Sequence, residues 1–340
     1  MKSNRIKWGL LIGLLPILMV LNVSFGSIII PFSDILSILT GGGSESIAFD
    51  AIIWNSRIPR ILTAILCGAA ISVSGLQMQV LFRNPLAGPY ILGISSGASL
   101  GISLLVMGAS LFSVTTFVYS SWTLALAATI GALFILLIVF MISLKVKDIM
   151  TVLIVGIMLG SFTTALIGVM QYFSSADQLK TFIIWTMGSL DAVNYEEITV
   201  ISIVVMVGLL IGIFNIKALN LLLLGEGYAK SMGLNLSRSR LWIILSTGLL
   251  AGCITAFCGP IGFIGIVVPH LCRIWFQTAN SKLLFPASIL MGINFMLLSD
   301  FIAHVPNSDL VLPINSVTAI LGVPIIFWMV LGQKKISNSI

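Results

Sequence analysis

Stretches of seventeen or more residues without a charged side chain recur along this chain, and they constrain its fold more than any motif does. Residues 8–33, 61–82, 149–176, 198–216, 283–299 and 310–333 are six of them. The hydrocarbon core of a bilayer is about 30 Å thick and takes about 20 apolar residues of helix to cross. No water reaches the backbone there, so each segment must satisfy its own N–H and C=O groups, as a helix does. Charged residues make up 8% of the 340, against about 25% in a soluble domain. Mean hydropathy is +1.15. At about 30 residues per span and connection, this length holds about ten spans and leaves no room for a soluble ATPase, nuclease or receptor domain. The sequence therefore predicts an all-α integral membrane protein, organised as one transmembrane domain over residues 1–340.

Two longer charge-free intervals need dividing. Residues 84–144 break at a polar patch around Ser113, Thr115, Thr116, Ser120 and Ser121. Residues 241–272 are interrupted by Gly259-Pro260, a helix stop followed by a residue suited to a helix start. Divided there, the chain has ten spans, near 8–30, 58–80, 90–108, 121–143, 149–172, 196–216, 240–258, 260–276, 283–302 and 313–332. Basic residues favour the cytoplasmic face of a membrane protein. With both termini cytoplasmic, ten spans place 14 of the 17 Lys and Arg inside and leave only Arg57, Arg60 and Lys180 outside, beside nine of the 11 acids. A single span over 241–272 would move Arg273, Lys282, Lys334 and Lys335 outward, so ten is the better count. The first run is too long for the apolar centre of a signal peptide and lacks an A-x-A-like site, so it is expected to be a span.

The net charge of +6 thus expresses orientation in a lipid bilayer, and no nucleic-acid partner is expected. No lysine follows a glycine anywhere, so a G-K-[ST] phosphate loop cannot exist, and H-E-x-x-H and G-x-S-x-G are also missing. No charge lies near mid-span, where a proton-coupled carrier keeps one. His270, after Pro269, is expected to be a hydrogen-bonded structural residue. Cys67, Cys253, Cys258 and Cys272 lie in apolar runs without metal-ligand spacing and are expected to be packing residues. The chain is therefore expected to be no enzyme and to hold no metal or cofactor, with any driven transport powered by a partner. Gly93, Gly97 and Gly101, spaced by four, predict a flat helix face for close packing. A faint echo at an offset of 184, Leu66, Gly68 and Gly75 against Leu250, Gly252 and Gly259, suggests an inverted repeat.

Three connections stand out. Arg57-Ile58-Pro59-Arg60 opens the second span, with Pro59 in the first helical turn and two of the three outer cations on adjacent parts of one face. Leu76 to Pro89, with Asn84-Pro85 and Gly88-Pro89, forms a tight inner turn. Lys217 to Arg240 is the longest inner connection and is too apolar for a free loop, which predicts a short helix docked on a soluble partner.

These segments, with Leu92-Gly93-Ile94-Ser95-Ser96-Gly97-Ala98, Gly259-Pro260-Ile261-Gly262-Phe263-Ile264-Gly265 through Pro269-His270, Leu312-Pro313 and Leu321-Gly322-Val323-Pro324, resemble the FecCD-type family. That family comprises permease subunits of ATP-binding-cassette (ABC) importers for ferric siderophores, haem and cobalamin. The resemblance runs from about residue 50 to 332. It implies the type II ABC importer permease fold in the bacterial cytoplasmic (inner) membrane. It also implies a second permease subunit, in a homodimer, two ATPase subunits that carry the ATP and Mg, and an extracytoplasmic substrate-binding protein. Matched positions assign Arg57 and Arg60 to docking of the binding protein. His304, where many relatives carry a further arginine, joins them. Arg83, Asn84, Pro85 and Leu86 are assigned to the inner gate. Leu224, Gly225, Glu226, Ala229, Met232, Gly233 and Leu234 are assigned to ATPase coupling. An iron chelate is the leading cargo. The alternatives are cobalamin within the same family and, from another class, an ATP-independent secondary carrier.

Overall fold

The computed structural model describes residues 2–42, 47–108, 120–146, 148–304, 308 and 310–337. Helices follow one another as α1 (Lys2–Ser24), α2 (Phe32–Leu39), α3 (Ile47–Ile52), a π-helical turn (Ile53–Arg57) and α4 (Ile58–Leu81). A 3₁₀ turn (Pro89–Leu92) precedes α5 (Ile94–Val106), α6 (Ser121–Lys145) and α7 (Ile149–Tyr172). Next come α8 (Ala176–Met187), α9 (Tyr195–Phe214), α10 (Ile216–Leu223) and α11 (Glu226–Ser231). The chain ends with α12 (Leu236–Cys258), α13 (Ile264–Phe276), α14 (Ser281–Ala303) and α15 (Ile314–Ser337).

Among the described residues, seven helical stretches are long and apolar enough to cross a membrane, and Ile94–Val106, Ile264–Phe276 and Ile314–Trp328 are shorter apolar helices. Together they are the ten transmembrane helices α1, α4, α5, α6, α7, α9, α12, α13, α14 and α15.

Several boundaries differ from the hydropathy reading, each for a local reason. The first helix stops at Ser24 rather than near residue 30, because the Arg57 guanidinium donates to the carbonyls of Val23 and Ile28 and holds the chain there in a loop. The second spanning stretch begins at Ile47. Pro59 has no N–H to give the carbonyl four residues back, and the turn before it widens into a π-helix. Gly259 ends α12 with φ +75°, as expected, but Pro260 does not start a helix. The backbone stays irregular until Phe263, at φ +65°, and α13 begins at Ile264. The polar patch at 113–116 lies outside the described residues. Short α8 was not anticipated, although Ser175 and Gln178 form the capping box that announces it.

At the centre stands α4, with 20 of its 24 residues buried. Lipid gives helices no hydrophobic reason to associate, so close backbone approach and interhelical hydrogen bonds hold such a bundle together. A Cβ at Gly68 would overlap the Gly292 carbonyl of α14, and one at Gly75 would overlap Gly265 of α13. Ser72 donates to the Ser288 carbonyl at 2.8 Å. Gln77 links three helices: its amide donates to Ser246 Oγ at 2.9 Å, Thr247 Oγ1 donates back at 2.9 Å, and Ser246 Oγ reaches the Gly208 carbonyl at 2.7 Å. Within the Leu66/Gly68/Gly75 echo, Gly75 and Gly259 both lie against backbone, of Gly265 and Trp185, whereas Gly68 and Gly252 differ, since a Cβ on Gly252 would meet nothing closer than Ile94 at 3.8 Å.

The glycine stripe faces α6 over its whole length, since a Cβ on Gly93 would meet Ile135 at 2.8 Å, but its first residue lies outside the helix. Gly97 and Gly101 do bring α5 against α6, where a Cβ on either would overlap the backbone at Gly131 or Ala127. Gly93 precedes that helix. At φ +76° it is the left-handed residue joining the 3₁₀ turn to α5, a conformation that favours glycine.

Candidate functional site

The residues singled out by sequence gather at opposite ends of the bundle. At one end the start of α4, the 188–194 loop and the end of α14 converge. Arg60 is 5% exposed, and its Nε lies 3.0 Å from Oδ2 of Asp300, which is 1% exposed. Its Nη1 lies 3.7 Å from Asp191, and its Nη2 donates to the Asn22 carbonyl at 3.3 Å. His304 bridges both acids: Nε2 sits 3.1 Å from Asp191 Oδ2, and Nδ1 sits 3.0 Å from the Asp300 carbonyl and 3.3 Å from its carboxylate. Burial works against a charged imidazole, but the hydrogen bonds to Asp191 and Asp300 prevail and raise the His304 pKa to about 9. Burial likewise raises the Asp191 pKa, but the hydrogen bonds and charges of His304 and Arg60 together more than reverse this, leaving it lowered.

This corrects the expectation that Arg57 and Arg60 are solvent-facing cations. Both are buried, Arg57 against the backbone after α1 and Arg60 against two carboxylates. Neither offers a free positive surface, and reversing their charge would disrupt packing before it affected any docking. Sequence reading missed Asp191 and Asp300 as the partners of Arg60 and His304. The available signal was Asp300 itself, an acid at the very end of an otherwise apolar span.

The other end joins the turn after α4 to the α10–α11 segment. Asn84 N donates to the Gln79 carbonyl at 3.1 Å and Arg83 N to that of Val80 at 3.3 Å, a Schellman closure with arginine at the left-handed position, φ +47°. Asn84 Oδ1 accepts from Leu86 N at 2.9 Å, and Pro85 and Leu86 are exposed. Arg83 Nε donates to the Leu222 carbonyl at 3.2 Å, so the turn predicted as gate contacts the segment predicted as coupling element.

That segment comprises two short helices rather than one. Gly225 (φ +116°) separates them and Gly233 (φ +82°) ends the second, the turn roles expected of them. Ala229 is buried, and Glu226 pairs with Arg240 at 2.6 Å. Leu224, Tyr228 and Met232, spaced by four, are 63%, 54% and 59% exposed, with Leu234 half-buried beside them. Elsewhere, Arg273 donates to Gln79 Oε1 at 2.6 Å, tying α13 to α4. His270 is nearly buried, and its Nδ1 has no hydrogen-bond partner, contrary to expectation.

Residues 14–332 match the FecCD transport family. This chain belongs to the FecCD transport family. It is 34% identical over 339 residues to the hemin transport system permease protein HmuU of Yersinia pestis, covering 98% of each chain. It is 36% identical over 283 residues to the vitamin B12 import system permease protein BtuC of Klebsiella pneumoniae, covering 83% of each. Among solved structures it resembles a metal-chelate type ABC transporter in an inward-facing conformation, with TM-score 0.83, 30% identity and coverage of 97% and 99%. The FecCD chain is therefore a multi-pass ABC permease, of a family whose members are transport subunits rather than enzymes.

Proposed function

We propose that this FecCD chain is the permease subunit of an ATP-driven importer for an iron chelate, a ferric siderophore or haem, in the bacterial inner membrane. The observation that carries this reading is the exposed stripe Leu224, Tyr228 and Met232, at the end opposite the ion cluster, on a segment that packs through Ala229 and leaves its other side uncovered. In a chain without a phosphate loop, that stripe is the seat for a separate ATPase. Arg83 lies between it and α4, so movement of the seat reaches the 83–86 turn, the inner gate.

A second copy completes the passage. α7 borders an open groove of about 570 Å³ lined by small and hydroxyl-bearing residues, among them Ser96, Gly160, Ser161 and Thr164. Facing its symmetry mate, this groove becomes a wall of the path. At the outer end, the buried cluster of Arg57, Arg60 and His304 acts in docking by fixing the loops presented to the substrate-binding protein. Both termini are cytoplasmic. An iron chelate is preferred to cobalamin because the similarity to the hemin permease spans 98% of both chains.

Reconstitution into proteoliposomes with the ATPase and binding protein tests the reading. ATP-dependent uptake of haem or a ferric siderophore is expected. Uptake by the permease without the ATPase would instead establish a secondary carrier, and uptake of cobalamin alone would move the cargo assignment.

A further inference from the structure

The spanning helices α6, α9 and α12 leave a furrow that packing within the chain does not fill. Its wider part, about 320 Å³, lies among Trp122, Thr129, Val204, Gly252 and Phe257. A second hollow of about 210 Å³ continues it between α6 and α12 toward Phe140, Leu241 and Leu245. Leu133 and Leu136 line both, so the two adjoin as one furrow, divided where Leu136 packs against Gly248. Along α6 it runs from Trp122 to Phe140, about 27 Å at 1.5 Å per residue, close to the depth of a bilayer's hydrocarbon core. Its rim is open to the surroundings, with Leu126, Leu133 and Leu137 each more than half exposed.

The furrow is polarised. The Trp122–Phe257 edge-to-face pair, with centroids 5.7 Å apart, closes the end nearer the ion cluster. At the other end Arg238 lies three and seven residues before Leu241 and Leu245, on the same face of α12 and one turn beyond the second hollow. Arg238 is exposed and makes no ion pair among the described residues, whereas its neighbour Arg240 is held by Glu226. Lys145 ends α6 at the same end of the bundle and adds charge at that depth. A long apolar slot that opens beneath a free cation complements an acyl chain joined to a phosphate.

We propose that this furrow binds an anionic phospholipid, with one acyl chain lying between α6 and α12 and the phosphate at Arg238. The small residues that create the space have a function beyond helix packing. Gly252 is the sharpest case, because a Cβ there would meet only Ile94, at 3.8 Å. No helix needs to approach at that position, and the room it leaves is room for lipid.

The test uses the full-length permease in its assembled transporter, delipidated in mild detergent. Phosphatidylglycerol and phosphatidylethanolamine are titrated back and adducts are counted by native mass spectrometry. Preferential retention of phosphatidylglycerol, at least threefold, is expected in the wild type. Arg238→Gln should abolish the preference, and Gly252→Leu should lower occupancy by both lipids. A second measurement needs no variant: phosphatidylglycerol carrying a photoreactive acyl chain should label α6 and α12 of the wild type. Labelling concentrated on α7 or α15 would overturn the proposal. So would furrow labelling without a headgroup preference, or a preference that survives Arg238→Gln. None of these readouts depends on the transported cargo.

Discussion

The two ends of this bundle handle their polar and apolar groups in opposite ways. At the Arg60 end the charges turn inward: Arg60, Asp300 and His304 neutralise one another beneath the surface with Asp191 at the rim, and Arg57 is consumed by backbone carbonyls. At the Arg83 end Arg83 and Arg238 are exposed although Arg240 is buried against Glu226, and large apolar side chains point out of the surface. A buried ion cluster fixes geometry and is intolerant of change, because removing one member strands another without solvent. An exposed apolar stripe costs little to alter in the isolated chain but is complete only with a partner. The first end is therefore built as a frame and the second as a contact surface.

The largest effect should come from breaking the frame. Asp300→Asn leaves Arg60 buried with only Asp191, at 3.7 Å, and should destabilise the detergent-solubilised protein by about 3 kcal/mol, measured by thermal unfolding. Replacing both partners by apolar residues, Arg60→Met with Asp300→Leu, should recover most of that loss. If the single variant unfolds like the wild type, the cluster is not structural.

The frame should also respond to pH. His304 has a folded-state pKa of about 9 against an ordinary 6.5, so its contribution is fully present below pH about 6.5 and is lost as pH rises through about 9. The lowered Asp191 pKa is the same interaction seen from the other partner and is not added. With Asp191 partly open to solvent, the contribution is about 2 kcal/mol. Stability should fall over that window in the wild type and stay flat in His304→Gln. Parallel curves would show that the imidazole carries no net stabilising charge.

Substitutions at two further positions probe the contact end. Gly233→Val places a branched residue at φ +82° where no neighbouring atom lies within 4 Å, so the penalty is one of backbone only, about 1–2 kcal/mol, and local. Membrane insertion should persist while co-purification of the ATPase drops at least tenfold. Normal co-purification would separate this segment from coupling. The smallest effect is expected at Arg83. Arg83→Gly relaxes the left-handed backbone and Arg83→Ala does not, so glycine should be the more stable of the two by about 1 kcal/mol. Both lose the bond to the Leu222 carbonyl, and both should transport more slowly than wild type. Equal transport in all three would remove the link between gate and seat.

What the sequence determined by itself are the properties set over a few turns of chain. Charge-free length fixes that a segment spans, and Gly259-Pro260 divides 241–272 because a helix cannot run through that pair. Gly225 and Gly233 mark turns because their backbone conformations are closed to other residues. The family motifs add order along the chain. Only the tertiary structure decided that Arg60 meets Asp300 across 240 residues of sequence, that Gly252 faces only a side chain, Ile94, whereas Gly68 faces another backbone, and that Gly93 makes a left-handed turn as well as a contact with Ile135. The reason is physical. Hydropathy and backbone preference act within a segment, whereas ion pairing, close approach and vacant space depend on which helices stand side by side. In a bundle whose helices are all apolar, nearly every neighbour is permitted by hydrophobicity alone, and the choice is made by small residues and a few polar contacts distributed over the whole chain.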